Sequence, residues 1–497
     1  MKKLLRTLSI TLCLSFLVTL AWGADLEGKV IEHRLANGMK LLMVERHTSP
    51  TVAAWVRFKV GSVNERSDER GIAHMLEHML FKGTKTIGTK NYVAEVPILK
   101  HIEETAQMLM AEKLKREKGD KKKIKELTDL LATLQTEDDK YVTPDEYSEI
   151  FAKNGGVGFN AFTAKDTTAY MINLPANKLE LWAALQADRM LNPVLRQFYT
   201  ERDVVMEERR RSFEAEPSGK LWEEFLAAAF MVHPYGAPVI GWPSDIENLT
   251  RTKAEGFLHR YYAPNNAIVA IIGDIDPNKT IWLMEKYFAG IPAGTPVAPV
   301  AAEEPKQSGE RRTEVIGDAE PELVIGFHKP TLPDKDNYVF DVIDMLLADG
   351  RTSRLYKKLV EEKQIATDVS TAMVPGSLYS NLFIIGATPR APHTVNEVEE
   401  AIYAELDRLK KEPVIQRELQ RIVNNLEASE IRSMGSNGGL AYRLTEYEAT
   451  AGTWRYFFEH RRNVASVTPE EIMRVASKYL VRENRTVGFI SKREVKR

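Results

Sequence analysis

One pattern closes each half of this chain, and it limits the folds available more than any other feature. Thr252 to Phe257 reads as a capped helix, followed by Tyr261, Tyr262 and Asn265 and then the apolar strand Ile268-Val269-Ala270-Ile271-Ile272. Thr468-Pro469-Glu470-Glu471 opens the same order, with Lys478, Tyr479 and Asn484 ahead of Thr486-Val487-Gly488-Phe489-Ile490. A second pair agrees: Leu179 to Glu208 and Val398 to Glu427 each read as two helices interrupted by a proline, Pro193 and Pro413. Such repetition predicts two copies of one domain. The stretch Ile291 to Pro305 carries Pro292, Pro296, Pro299 and Pro305 and breaks every periodicity, as a linker does. The expected fold class is therefore α+β: two homologous domains at 25–290 and 313–497, joined by a linker at 291–312, each an antiparallel-rich sheet with helices on one face.

The first copy begins with strands. Val30 to Leu35, the turn Ala36-Asn37-Gly38 and Met39 to Val44 form a hairpin with an Asn-Gly turn, and Val52 to Phe58 adds a strand. Gly71-Ile72-Ala73-His74-Met75-Leu76-Glu77-His78-Met79-Leu80 follows. On a helix His74 and His78 lie on one face a turn apart, and Glu77 projects on the same side. Ile72, Met75, Leu76, Met79 and Leu80 already supply an apolar face, so the three polar residues form a separate cluster on a helix that is otherwise buried. Buried charge without a partner is costly. This is the set that holds a zinc ion and deprotonates a water. The second copy has no histidine pair at the corresponding place, so only one half can do zinc chemistry.

Between the motif and the next strands lies an insertion at about 97–147. Lys113 to Lys123 is densely charged with Gly119-Asp120 as its break, and leucines recur at helical spacing from Ile124 to Leu134. A protruding helical hairpin is expected, either a solvated spacer or an element that docks a partner or gates substrate. Gly155 to Thr163 and Thr167 to Leu174 then read as two strands joined by a polar turn.

A catalytic zinc takes three protein ligands and leaves a position for water, so one more donor is needed. Thr200 to Arg210 offers Glu201, Glu207 and Glu208. Glu201 and Glu208 are two helical turns apart and face one way, with Glu207 about 100° round the helix from Glu208. Helical geometry leaves all three open, each also able to pair with Arg202, Arg209 or Arg210.

Composition narrows the setting. A net charge of -2 over 497 residues gives no electrostatic footprint for nucleic acid or an anionic membrane. Met1-Lys2-Lys3-Leu4-Leu5-Arg6, the apolar run Leu8 to Leu20 and the small residues before Asp25 make a secretory leader, cleaved after Gly23 or Ala24, too short to span a membrane comfortably. The expected address is across the inner membrane, in the bacterial periplasm, with no membrane span in the mature chain. The single cysteine, Cys13, lies within the leader, so disulfides and thiolate zinc ligands are excluded from the mature chain.

The run Gly71 to Thr84 resembles the inverted zinc motif of the pitrilysin and insulinase metallopeptidases, in the branch that includes mitochondrial processing peptidase. Asn160-Ala161-Phe162-Thr163, Glu201 to Glu208 and His233-Pro234-Tyr235-Gly236 resemble the accompanying segments in the right order. The resemblance implies His74, His78 and Glu208 as ligands of one zinc ion per chain, Glu77 as general base, and Glu201 as a carboxylate behind the ligands. It implies that Asn160 and Ala161 lie on an edge strand that pairs with bound peptide. It further implies half of a four-domain clamshell, completed by a homodimer or by a heterodimer with a similar chain lacking the metal motif. Two departures stand out. The interval from His78 to Glu208 is longer than usual, and Val360 and Thr367 occupy positions where many active relatives carry an arginine and a tyrosine, with Arg351, Arg354 and Tyr356 nearby but out of register. The expected function is zinc-dependent endopeptidase; the competing reading is a non-catalytic scaffold subunit.

Overall fold

Apolar runs, Leu41 to Val44 and Val52 to Val56, drive the first strands into a sheet buried on both faces. The structure, a computed structural model, describes residues 26–492. The leader expected at 1–24 lies outside the described residues. In chain order the first half forms β1 (Ile31–Arg34), β2 (Lys40–Glu45), β3 (Thr51–Phe58), α1 (Ile72–Met79), α2 (Tyr92–Lys113), α3 (Lys121–Asp138), α4 (Glu146–Lys153), β4 (Val157–Thr163), β5 (Thr168–Pro175), α5 (Leu179–Leu191), α6 (Phe198–Arg209), α7 (Pro217–Ala229), α8 (Arg251–Tyr261), β6 (Ala267–Gly273) and α9 (Pro277–Phe288). The second half forms β7 (Arg311–Gly317), β8 (Leu323–Lys329), α10 (Asp336–Ala348), β9 (Ala366–Val374), β10 (Asn381–Pro389), α11 (Val395–Lys411), α12 (Gln416–Met434), α13 (Asn437–Thr450), α14 (Tyr456–Ala465), α15 (Pro469–Tyr479) and β11 (Arg485–Lys492).

The strand order is β1-β2-β6-β3-β5-β4 in one sheet and β7-β11-β8-β10-β9 in the other. Without β1 the two orders are the same. Each sheet contains one parallel pair, β2 with β6 and β7 with β11, and is otherwise antiparallel. The repeat read from the helix–strand endings is thus a repeat of topology.

Helices of its own half cover one face of each sheet, and a helix from the opposite half covers the other. Leu440, Ala441 and Leu444 of α13, with Trp454, Phe457 and Phe458, pack on Leu42, Val44, Ile268, Ala270 and Ile272 of the first sheet. In exchange, Leu221, Phe225, Leu226 and Ala229 of α7 pack on Val315, Val324, Leu382 and Ile490 of the second. Burial on both faces explains why β6 is apolar along its whole length rather than alternating. At the seam the Asp166 carboxylate accepts the Tyr235 hydroxyl at 2.7 Å and the backbone N–H groups of Ser377 and Leu378 at 2.6 and 3.2 Å.

The charged insertion folds as a helical hairpin, α2 and α3, whose inner stripe packs on the body of the first half. Ile98, Ile102, Ala106 and Leu109 of α2 and Leu127 and Leu131 of α3 join the first core. The dense charge lies on the outer side and at the tip, where it masks an apolar stripe that packs inward. Arg196, fully buried, bonds Glu95 of α2 through Nε at 2.8 Å, and its other nitrogens bond the carbonyls of Lys82, Thr84 and Ile87. One guanidinium therefore ties the hairpin, the loop after α1 and the approach to α6 together.

Candidate metal centre

The start of α1 is fixed by two residues. Gly71 has a φ of 91°, and any Cβ there would collide with the Ile240 carbonyl, so glycine is required. The buried Glu65 carboxylate accepts the N–H groups of Gly71 and Ala73, each at 2.9 Å, which caps the helix from outside it. With Ile72, Met75, Leu76 and Met79 buried in the core, His74, Glu77 and His78 face α6 and β4.

α6 brings the carboxylates. Glu208 Oε1 stands 3.7 Å from His74 Nε2, and its Oε2 stands 3.6 Å from His78 Nε2. His78 Nδ1–H donates to Glu201 Oε1 at 2.9 Å, and the other oxygen of Glu201 takes the Lys82 ammonium at 2.6 Å. Glu207 points away and pairs with Arg210 and Arg211 at 2.7 and 2.8 Å. Of the three carboxylates that helical geometry left open, only Glu208 faces both histidines across the gap.

A metal ion fits this arrangement. One ligand atom from each of His74, His78 and Glu208 can be chosen so that all lie within 4.8 Å of one another. Nitrogen and oxygen donors about 2.0–2.1 Å from a tetrahedral zinc stand about 3.3 Å apart, a few tenths of an ångström inside the two histidine–Glu208 separations. Among the described residues no second group of this kind occurs. In the second half α10 takes the place of α1 and offers Asp341, which pairs with His460 at 2.9 Å, instead of a histidine pair.

Electrostatics separate the roles. Burial, with the neighbouring His78, pulls His74 down to about 4, so its imidazole is neutral. Burial also pulls on His78, but the bond to Glu201 and the charges of Glu201, Glu208 and Glu77 outweigh it and raise that imidazole above its ordinary value. Burial works to raise Glu201 as well, yet the bonds to His78 and Lys82 hold it at about 2. Burial raises the Glu77 carboxyl, against the Thr163 hydroxyl that donates to its Oε2 at 2.7 Å. A raised carboxyl beside a metal-ligand cluster holds a proton more readily than an ordinary carboxylate.

The site opens on a cleft lined by Glu77, His78, Phe81 and Lys82 on one side and by Asn160, Gln197 and the loop Val142–Asp145 on the other. That loop ends the insertion, so the insertion contributes a wall of the cleft. Asn160 is exposed and Ala161 buried on β4, an edge strand that among the described residues pairs only with β5. The residues at the arginine and tyrosine positions are elsewhere: Val360 packs against the second core, and Thr367 Oγ1 bonds the Thr388 carbonyl at 3.3 Å. Arg354 is held by Glu418 at 2.9 Å, and Tyr356 packs on the same core as Val360. Sequence reasoning passed over Lys82, Thr163 and Glu65. Lys82 and Thr163 sit inside the quoted motifs and were legible by position, whereas nothing local marked Glu65 as a cap.

An inverted pair of histidines on one helix, a carboxylate near the end of another, and a glutamate beside them form a candidate metal site on a duplicated α+β fold. The chain belongs to the insulinase family, peptidase family M16: residues 40–98 and 119–242 match the insulinase profile, and residues 248–426 match that of the peptidase M16 inactive domain. The unmatched 99–118 fall in the α2–α3 hairpin. The chain is 27% identical over 487 residues to the zinc protease PqqE of Helicobacter pylori, covering 95% of this chain and 96% of that protein. An uncharacterised zinc protease of Mycobacterium tuberculosis is 26% identical, covering 87% of this chain and 86% of that one. A protease from Helicobacter pylori of known crystal structure shares the fold with a TM-score of 0.78 and 27% identity, over 93% of this chain and 99% of that one. The periplasmic protease PqqL of Escherichia coli matches 94% of this chain with a TM-score of 0.69 and 17% identity, but only 48% of its own length is covered.

Proposed function

We propose that this protein is a periplasmic zinc endopeptidase that hydrolyses peptides or small unfolded polypeptides. The observation that carries the reading is the convergence of His74, His78 and Glu208 with Glu77 at the mouth of a cleft beside an edge strand. His74, His78 and Glu208 hold one zinc ion per chain, and Glu201 orients His78 from behind. When bound, zinc supplies Lewis-acid polarisation of the scissile carbonyl and of a water, whose pKa falls to about 7. Glu77 takes the proton of the attacking water and delivers it to the leaving amine. The substrate pairs in extended form with the outer edge of β4 around Asn160 and Ala161, so backbone hydrogen bonds rather than side chains set its register. Location in the periplasm is supported by the leader-like amino terminus and by the similarity to PqqL, a periplasmic protease. A second two-domain unit closing over the cleft, from a second copy or a related chain, is supported by the double length of PqqL.

The competing reading, a non-catalytic scaffold, draws on one observation: Val360 and Thr367 leave the second half without the arginine and tyrosine of active relatives. One experiment separates the two. Purified protein is analysed for zinc and assayed with a fluorogenic peptide, with and without chelator, beside Glu77→Gln. The peptidase reading expects stoichiometric zinc in both proteins and turnover only in the wild type. Glu77→Gln cleaving at the wild-type rate, or zinc-loaded wild type inert towards peptides, refutes it.

A further inference from the structure

We infer that Thr163 is a positioning residue: its hydroxyl sets the rotation of the Glu77 carboxylate and ties that base to the strand on which peptide pairs. The inference rests on the peptidase reading above for its kinetic consequence, but its geometry stands alone. Thr163 is the last residue of β4 and pairs with Thr168 at the start of β5. Its Oγ1–H donates to Glu77 Oε2 at 2.7 Å, a charge-assisted bond of normal length. Among the described residues no other side chain donates a hydrogen bond to Glu77. The hydroxyl therefore engages Oε2, with the Thr163 backbone beside it.

Thr163 is a firm anchor because the turn that follows it is held from several directions. Val63 N–H bonds the Lys165 carbonyl at 2.9 Å, and the Lys165 ammonium bonds the Ala237 carbonyl. Asp166 is clasped by Tyr235 and by the backbone of Ser377 and Leu378 from the second half. The free rotation of a carboxylate about its terminal torsion is broad and two-fold, and Thr163 restrains it through its hydroxyl, with its backbone contributing beside it. The chain from the interdomain seam through the turn to Thr163 thus makes the base part of the substrate strand. Displacement of that strand and misorientation of the base become one event.

The test compares Thr163→Val, which keeps the shape and removes the hydroxyl, with Thr163→Ser, which keeps the hydroxyl. Misplacing a catalytic group by about 1 Å lowers rate by about 100-fold, so Thr163→Val is expected to lower kcat by about 10–100-fold with KM within about twofold of wild type. Zinc content and zinc affinity should be unchanged in both variants, and Thr163→Ser should recover most of kcat. Wild-type kcat in Thr163→Val, a serine variant as impaired as valine, or a rise in KM alone overturns the inference. Crystal structures of the zinc-loaded wild type and Thr163→Val provide a readout that needs no turnover. A Glu77 carboxylate bonded to Thr163 in the wild type and rotated in the variant supports the inference even for a protein that cleaves no peptide. The same orientation in both overturns it. Failure of the peptidase reading shows instead as an inert wild type.

Discussion

Replacing Glu201 by glutamine should loosen zinc without unfolding the protein. Glu201 holds His78 Nδ1–H at 2.9 Å with one oxygen and Lys82 Nζ at 2.6 Å with the other, and it is ionised throughout the working range because its carboxyl is held at about 2. An amide keeps an acceptor for His78 but loses the charge, and charge-assisted hydrogen bonds are about twice as strong as neutral ones. The amide also turns a donor towards the Lys82 ammonium. Carboxylates behind metal-ligating histidines typically contribute about 10–100-fold to metal affinity, or about 1.4–2.7 kcal/mol. Lys82 is 28% exposed, so water takes up part of its lost partner and the expectation falls in the lower half of that range, about 10–30-fold. The assay is competition for zinc with a chelator at about pH 7.5, because metal affinity depends on ligand protonation. The melting temperature of the metal-free variant is the control. Affinity within about twofold of wild type, with the control unchanged, refutes the argument that Glu201 acts through His78.

Two further outcomes are expected. Arg196→Met leaves Glu95 buried with no counter-charge and frees three carbonyls around the loop after α1, so it should destabilise by about 3–5 kcal/mol. A loss under about 1 kcal/mol in denaturant unfolding contradicts the view that this guanidinium joins hairpin, loop and α6. In the second half His460 lies between Asp341 at 2.9 Å and Glu430 at 3.9 Å. Burial pulls its imidazole down, but the two carboxylates override this and raise it from 6.5 to about 9. Because the folded value is raised, the stabilisation is complete below about pH 6.5 and is lost as pH rises through about 9, at most about 3 kcal/mol. Melting temperature should therefore decline over that window and flatten in His460→Gln; a flat wild-type profile argues that the imidazole is not paired as described.

Much of this protein is determined by local sequence. The Asn37-Gly38 turn, the strands of the first sheet, the duplication and the separate polar face of α1 follow from a turn dipeptide, short apolar runs, a repeated order of elements and a period of 3.6 residues, all readable along the chain. So does the restriction of the candidate metal site to one half, since a histidine pair cannot be improvised elsewhere. Tertiary structure decided what depends on elements far apart in the chain. Glu201, Glu207 and Glu208 are equal candidates on an isolated helix; packing of α6 against α1 turns Glu208 to the histidines, Glu201 behind His78, and Glu207 to its arginines. The insertion reads as a charged spur, yet its inner stripe finds the first core, because apolar residues spaced along a charged helix show their partner only when that partner is in place. The exchange of α7 and α13 between the two sheets is likewise invisible in either half alone. Amphipathicity states that a face must be covered, and only the folded chain states by what.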